Sequence, residues 1–496
     1  MEQLMYQSTR GDDQVVSASE AILRGIASDG GLYVPTVIPR LTTPLTALAH
    51  LDYQALALQI MSLYLTDYTE DELRNAIMQA YDHTFTTPAI APLVPQGDVH
   101  FLELFHGPTL AFKDMALSIL PHLLIVAAEK QGLTQEVVIL TATSGDTGKA
   151  ALEGFANVPG TKIIVFFPEH GVSPVQKRQM VTQAGENTHV IGIEGNFDDA
   201  QNGVKAMFTD ESLRTSLKQA GYIFSSANSI NIGRLVPQIV YYYYAYLQLV
   251  NQGVISAGQD VNFAVPTGNF GNILAAYYAR CMGLPIGKLI CASNTNKVLF
   301  DFLTTGIYDR KREFVVTMSP SMDILISSNL ERLLYHASGQ NAHWVRAQMQ
   351  ELTASGHYQI PQTVKTKLAP FVGGYASEEE TALAINQLYQ ERGYLMDPHT
   401  AVAFVVLQKY RQASGDTTPT VVISTASASK FAKDVLSAID PKYKDYDDFA
   451  LLAKLGQLSS QPIPMAVQEL EQRTILHKKV CQKDEMRLMV ENILGL

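Results

Sequence analysis

The stretch HGPTLAFKDMAL, residues 106–117, places one lysine, Lys113, in a largely apolar run. An ammonium group taken out of water costs several kcal/mol unless it is paired or gives up its proton. A desolvated lysine has a lowered pKa and becomes a nucleophilic amine, the group that condenses with an aldehyde. A plainer part also fits Lys113: a lysine at a helix start, its stem on apolar surface and its head in water beside Asp114.

Three further stretches combine small, hydroxyl and amide residues in patterns suited to anions. In PTGNFGN (266–272), Gly268 and Gly271 allow close backbone approach, and successive N–H groups at a helix start can cradle a phosphate. The same loop also reads as a tight strand-to-helix turn capped by asparagine. It lacks the G-x-G-x-x-G spacing of a dinucleotide site. TSGDTGKAA (143–151) offers N–H groups to a carboxylate or phosphate, while Ser144 or Asp146 alone would suffice as a helix cap. It is not a nucleotide-hydrolase loop, because Ala150 follows Lys149 where a magnesium-binding Ser or Thr should stand. STASASKF (424–431) presents Thr425 just after a strand. One ligand set meets all these features: a phosphorylated aldehyde with an amino-acid substrate. The twelve histidines include no H-E-x-x-H and no close pair at ligand spacing, so no metal is expected.

The elements that must position these groups follow from periodicity. VVILTAT, KIIVFFP, THVIGIEG and YIFSSAN alternate with helical segments, as do VNFAVP, KLICASN and TVVISTAS. Apolar strands alternating with helices predict βαβ units, hence an α/β fold with parallel sheets covered on both faces in at least two lobes. Ligands of such sheets lie beyond the carboxyl ends of the strands, where the three loops fall. The first hundred residues read as helical, with a boundary near residue 95 in the proline-rich TTPAIAPLVPQGD. VPQIVYYYYAYLQLV (236–250) predicts a helix with Pro237 in its first turn and four tyrosines that pack on all sides.

At 496 residues the chain is long enough for two or three domains. Its net charge of −11 gives no basic excess to neutralise nucleic acid or an anionic membrane. No apolar run reaches membrane-spanning length, the N-terminus lacks a signal pattern, and the three cysteines form no framework, so a cytoplasmic protein is expected.

Together SEAILRGIASDGGLYVP, ELFHGPTLAFKDMAL, TATSGDTGKAAL, SSANSINIGRLVPQ, PTGNFGNILA, PSMDILISSNLERLL, DPHTAVA and STASASKF resemble, in order, segments of the threonine synthase family of fold-type II pyridoxal phosphate enzymes. The resemblance runs from about residue 6 to about 440. It implies a tryptophan synthase β-like fold: a mainly helical N-terminal domain (1–95), a cofactor-binding region of two α/β lobes (96–440, the smaller roughly 115–220), and a helical extension (441–496). It implies pyridoxal 5'-phosphate as cofactor and conversion of O-phospho-L-homoserine and water to L-threonine and phosphate, by a monomer or homodimer. Lys113 matches the cofactor-bearing lysine, Gly268, Asn269, Phe270, Gly271 and Asn272 the phosphate cradle, and Thr425 the hydroxyl facing the pyridine nitrogen. Thr143, Ser144, Gly145, Asp146 and Thr147 match the loop near the substrate carboxylate. Lys149, Arg234 and the Ser229 region are candidates for the substrate phosphate, and Arg234 fits a helix-start role equally. Broader fold-type II enzymes often carry Asn where this chain has Asp146. Alternatives open at this point are a threonine-synthase-like phospholyase, a serine or threonine dehydratase of the same fold, and a non-catalytic ligand-binding homologue.

Overall fold

The structure is a computed structural model that describes residues 3–12, 14–143, 145–170, 172–459, 464, 467–468 and 470–496. Near the N-terminus the helices begin where short polar side chains satisfy free N–H groups. Ser17 caps Ala18–Arg24, Asp52 caps Tyr53–Met61, and Thr69 with Glu72 forms a reciprocal capping box on Glu70–Ala80. Two short antiparallel strands, Tyr6–Ser8 and Tyr33–Pro35, tie this unit together.

Two sheets carry the remaining chain. The smaller runs Lys479–Gln482, Thr188–Glu194, Thr161–Pro168, Glu136–Ala142, Tyr222–Ser225, with all pairs parallel. The larger runs Phe371–Tyr375, Ile286–Ser293, Val261–Pro266, Thr420–Ser424, Val99–Glu103, Leu93–Gln96, parallel except at the last pair. Every residue of Val261–Pro266 and Thr420–Ser424 is buried, as expected of central strands covered on both faces. The expected α/β architecture with two parallel lobes is present.

Three local readings differ from expectation. Leu93–Gln96 is the antiparallel edge of the larger sheet rather than a linker, and its Pro95 is tolerated because edge strands can forgo a donor. Lys479–Gln482 is an edge strand of the smaller sheet within a stretch expected to be helical; it is short and flanked by charge, so it carries little periodic signal. The tyrosine-rich helix spans Ile232–Asn251, because the Asn231 side chain accepts from Gly233 N at 2.9 Å and starts it there. Pro237 therefore lies beyond the first turn, where it forgoes one helical hydrogen bond.

This helix runs through the largest apolar cluster, which joins the N-terminal helices to both lobes. Tyr241, Tyr242 and Tyr243 are fully buried, and Tyr53 meets Tyr244 edge-on at 5.2 Å between ring centres. Separate apolar clusters fill the outer faces of the larger and smaller sheets. Among the described residues no helix is long and apolar enough to cross a membrane.

Candidate active site

The carboxyl ends of strands from both sheets open onto one cleft of about 2520 Å3. Its walls include Lys113, Thr143, Asp146, Thr147, Arg234, Gly268 to Asn272 and Thr425. Residues more than 300 positions apart in the chain thus meet because parallel strands deliver their following loops to the same edge.

Lys113 stands at the start of the short helix Asp114–Leu117. The Asp114 carboxylate fixes this turn by accepting from Thr109 N at 2.8 Å and Thr109 Oγ1 at 2.5 Å. Burial raises the Asp114 pKa to about 6. Phe112 N donates to Thr425 O at 2.8 Å, which stitches the lysine turn to the end of the central strand Thr420–Ser424. Lys113 Nζ reaches Ser321 Oγ at 3.2 Å and Asp146 Oδ2 at 3.4 Å. Burial lowers the Lys113 pKa, Asp146 opposes the shift, and the positive charges of Lys430 and Arg234 add to it.

The 266–272 loop turns from strand Val261–Pro266 into helix Gly271–Met282. Phe270 is buried with φ of 64°, an unusual conformation for a residue with a side chain, so the surroundings must hold it. They do so through the backbone. Ser327 Oγ donates to Gly268 O at 2.6 Å, and Asn329 donates to Asn269 O from both N and Nδ2 at 3.1 Å. A Cβ on Gly268 would lie 2.6 Å from Ser321 O, so this position admits only glycine without movement. Asn272 Oδ1 accepts from Tyr241 and Tyr242 hydroxyls, each at 2.6 Å, while its buried Nδ2 has no partner. Two tyrosines expected only to pack therefore orient a cleft residue.

The 143–149 loop is built differently. Thr143 Oγ1 accepts from Gly145 N and Gly148 N, both at 2.9 Å, and so braces the turn rather than facing a ligand. Ser144 lies outside the described residues. Gly145 has φ of 141°, and a Cβ there would meet the Gln176 side chain at 2.6 Å. Asp146 opens the helix Asp146–Phe155 with Thr147 beside it on the cleft. Lys149 is not brought to the cleft: its Nζ donates to Glu153 Oε2 at 2.8 Å and to Gln183 Oε1. Two residues beyond Thr147, and so about 200° round the helix, it faces away from the cleft toward Gln183 instead.

Arg234 is buried on the cleft wall, with Nη1 donating to Ala227 O at 3.0 Å and Nε lacking a partner. Burial lowers its pKa to about 10, so it stays cationic at neutral pH.

Sequence reasoning passed over Lys430, Ser321, His399 and Arg332. Lys430 is buried and forms an ion pair with Asp146 Oδ1 at 2.7 Å. Burial opposes ionisation of Asp146, and Lys430, then Lys113, overcomes it and holds the carboxyl well below its ordinary value. Ser321 N donates to His399 Nε2 at 3.1 Å, so His399 carries its proton on Nδ1 and donates it to Asp397 Oδ2 at 2.6 Å. Arg332 is fully buried and donates to Tyr33 O at 2.9 Å, Ile230 O at 2.6 Å and Asn329 Oδ1. It links the N-terminal unit to the residue that grips Asn269 O. The available signals were a lysine in apolar SKF, the D-P-H-T helix start, and an arginine at a buried spacing in NLERLL. Among the described residues no group of three His, Cys, Asp or Glu side chains converges as a metal site.

Three family models match the chain: Threonine synthase N terminus at 5–81, Pyridoxal-phosphate dependent enzyme at 85–426, and Threonine synthase, C-terminal, at 400–480. The threonine synthase-like 1 protein of Homo sapiens is 41% identical over 492 residues, covering 95% of this chain and 65% of that one. The chain thus spans just under two thirds of that relative's length. Threonine synthase of Pseudomonas aeruginosa is 41% identical over 438 residues, covering 88% of this chain and 90% of its own. The crystal structure of PLP-bound threonine synthase from Brucella melitensis superposes with a TM-score of 0.87 at 38% identity, over 99% of this chain and 98% of that one.

Proposed function

We propose, from the premise that the chain belongs to the threonine synthase family of pyridoxal-phosphate-dependent enzymes, that it converts O-phospho-L-homoserine and water to L-threonine and phosphate. The observation that carries this reading is the meeting of a desolvated lysine, a glycine-built anion cradle and a buried cationic arginine in one cleft.

The residues fit the cofactor. Asn272 Nδ2 is a buried donor without a partner, the first-turn N–H groups of Gly271–Met282 point out of the helix, and Gly268 keeps the loop free of side-chain bulk. Residues 268–272 would hold its phosphate, Lys113 its aldehyde carbon, and Thr425 its ring nitrogen. When bound, pyridoxal phosphate supplies an aldehyde and a conjugated ring that withdraws electrons from the substrate.

The protein's own groups then bind and move protons. Lys113, released as a free amine, takes the proton from substrate Cα; a second proton leaves Cβ, and phosphate departs from Cγ. Cγ regains a proton to become the methyl group, and water adds its hydroxyl at Cβ before Cα is reprotonated, the remaining water proton leaving with the phosphate. The depressed lysine pKa keeps both the neutral amine and the ammonium accessible within one cycle. Arg234 offers its unpaired Nε to the leaving phosphate, a charge-assisted bond in a dry wall. The N–H groups of Gly145 to Thr147 flank the position expected for the substrate carboxylate, while Asp146 is committed to Lys430. A reducing, cytoplasmic setting accords with Cys281, Cys291 and Cys481 being free thiols.

The test follows threonine and phosphate together after mixing purified protein, pyridoxal phosphate and O-phospho-L-homoserine. Equal amounts of both, abolished in Lys113→Ala, are expected. The 41% identity to a protein named threonine synthase-like 1 keeps one second reading open, the threonine-synthase-like phospholyase. Phosphate released with a keto acid in place of threonine would select it.

A further inference from the structure

Asp146 sits between two lysines and treats them unequally. Its Oδ1 is 2.7 Å from Lys430 Nζ, whose side chain is 1% exposed, and its Oδ2 is 3.4 Å from Lys113 Nζ. Lys430 is held in turn by Thr109 O at 2.9 Å, and Gln176 Nε2 donates to the same Oδ1 at 3.0 Å. Ser321 Oγ stands 3.3 Å from Oδ2, and its backbone N–H is tied to His399. The carboxylate is therefore anchored on one oxygen by a short buried ion pair, and only its other oxygen faces the amine.

We propose that Lys430 is a positioning residue for Lys113: it compensates and anchors Asp146, so that the carboxylate orients the amine without trapping it as an ammonium. This rests on Lys113 being the cofactor-bearing lysine. An uncompensated buried carboxylate would close onto Lys113 as a tight ion pair and hold its proton. With Lys430 already on Oδ1, the attraction left at 3.4 Å is partial. The other charged groups facing this pair are Arg234 from the helix Ile232–Asn251 and His399 from the helix Pro398–Ser414, with Asp114 on the lysine's own turn. Arg234 repels the ammonium as Lys430 does, and His399 acts on the carboxylate in the same direction as Lys430, so neither reverses the sign.

The test titrates the absorbance of bound pyridoxal phosphate without substrate, because the band reports whether the nitrogen at Lys113 carries a proton. Lys430→Gln is expected to move the midpoint up by about one pH unit and Asp146→Asn to move it down by about one. Lys430→Arg keeps the charge and should leave the midpoint near the wild-type value. Because Lys430 acts chiefly through Asp146, with a smaller direct repulsion of the ammonium, its shift should fall to less than half in the Asp146→Asn background. A purely structural lysine would lower cofactor affinity without opposite shifts. An unshifted band in Lys430→Gln, or a downward shift, overturns the proposal. Should Lys430→Gln not fold, the double variant removes both buried charges at once and is compared with Asp146→Asn. Midpoints within about half a unit of each other support the proposal, and a larger displacement overturns it. A wild-type protein showing no cofactor band would instead defeat the reading of Lys113, and the proposal with it.

Discussion

The two glycine-rich loops on the cleft look alike in sequence and are built on opposite principles. Residues 266–272 contain no charged side chain, and their carbonyls are fastened from behind by Ser327 and Asn329. Apart from Thr267 N, which donates to Ala292 O, their N–H groups and Asn272 Nδ2 are left to face an incoming anion. Residues 143–149 carry their own anion: Asp146 occupies the first turn of its helix, where the dipole favours negative charge, and is neutralised by Lys430. Glycine content says that a backbone can come close. The charge of the neighbouring side chains decides what it comes close to.

The contrast can be broken at its common partner first. Lys113→Ala removes the group both loops serve, and turnover should fall by about 10³-fold or more in the product assay. Gly268→Val then attacks the uncharged loop alone: its Cβ would press within 2.6 Å of Ser321 O. Overpacking of this kind costs about 1–3 kcal/mol, so cofactor affinity measured by fluorescence titration should weaken about 10- to 100-fold. Asn272→Ala strips the acceptor shared by Tyr241 and Tyr242. Leaving the Tyr242 hydroxyl without its acceptor, and Tyr241 with Gln238 Oε1 alone, should lower stability by about 1–3 kcal/mol in denaturant unfolding. Lys149→Met touches the other loop's helix but points away from the cleft. Its turnover should stay within about threefold of wild type, with a stability loss of about 1 kcal/mol at most because the Glu153 partner is partly exposed. A large loss of activity from Lys149→Met would show that Lys149, and not only the start of its loop, faces substrate after all.

What could be read from the chain depended on whether the meaning was local. Lys113 stands out because an apolar run makes its charge conspicuous, and 266–272 because glycine and asparagine follow a strand. Lys430 was quoted within STASASKF, yet its partner lies nearly 300 residues earlier, and only the convergence of strand ends on one cleft makes the pair. Lys149 misled for the converse reason: it adjoins a ligand-suited loop in sequence, but helical rotation carries it to another face. Asn272 was correctly placed in the loop, while the tyrosines that orient it were read as packing because periodicity reports burial and not hydroxyl direction. Arg332 gave only its buried spacing in NLERLL as a local sign, since beside Asn329 Oδ1 its acceptors are the backbone carbonyls of Tyr33 and Ile230, which lie in distant segments.

The edge strand Lys479–Gln482 bears on how the molecule is made. Thr188–Glu194 would otherwise border the smaller sheet with open donors and acceptors, a ready template for another chain. During synthesis that border stays bare until a segment nearly 300 residues later has emerged, which leaves a long window for wrong pairing between nascent chains. Shortening the chain before residue 479 should therefore show itself less as lost chemistry than as aggregation, with the yield of soluble protein falling as its concentration rises.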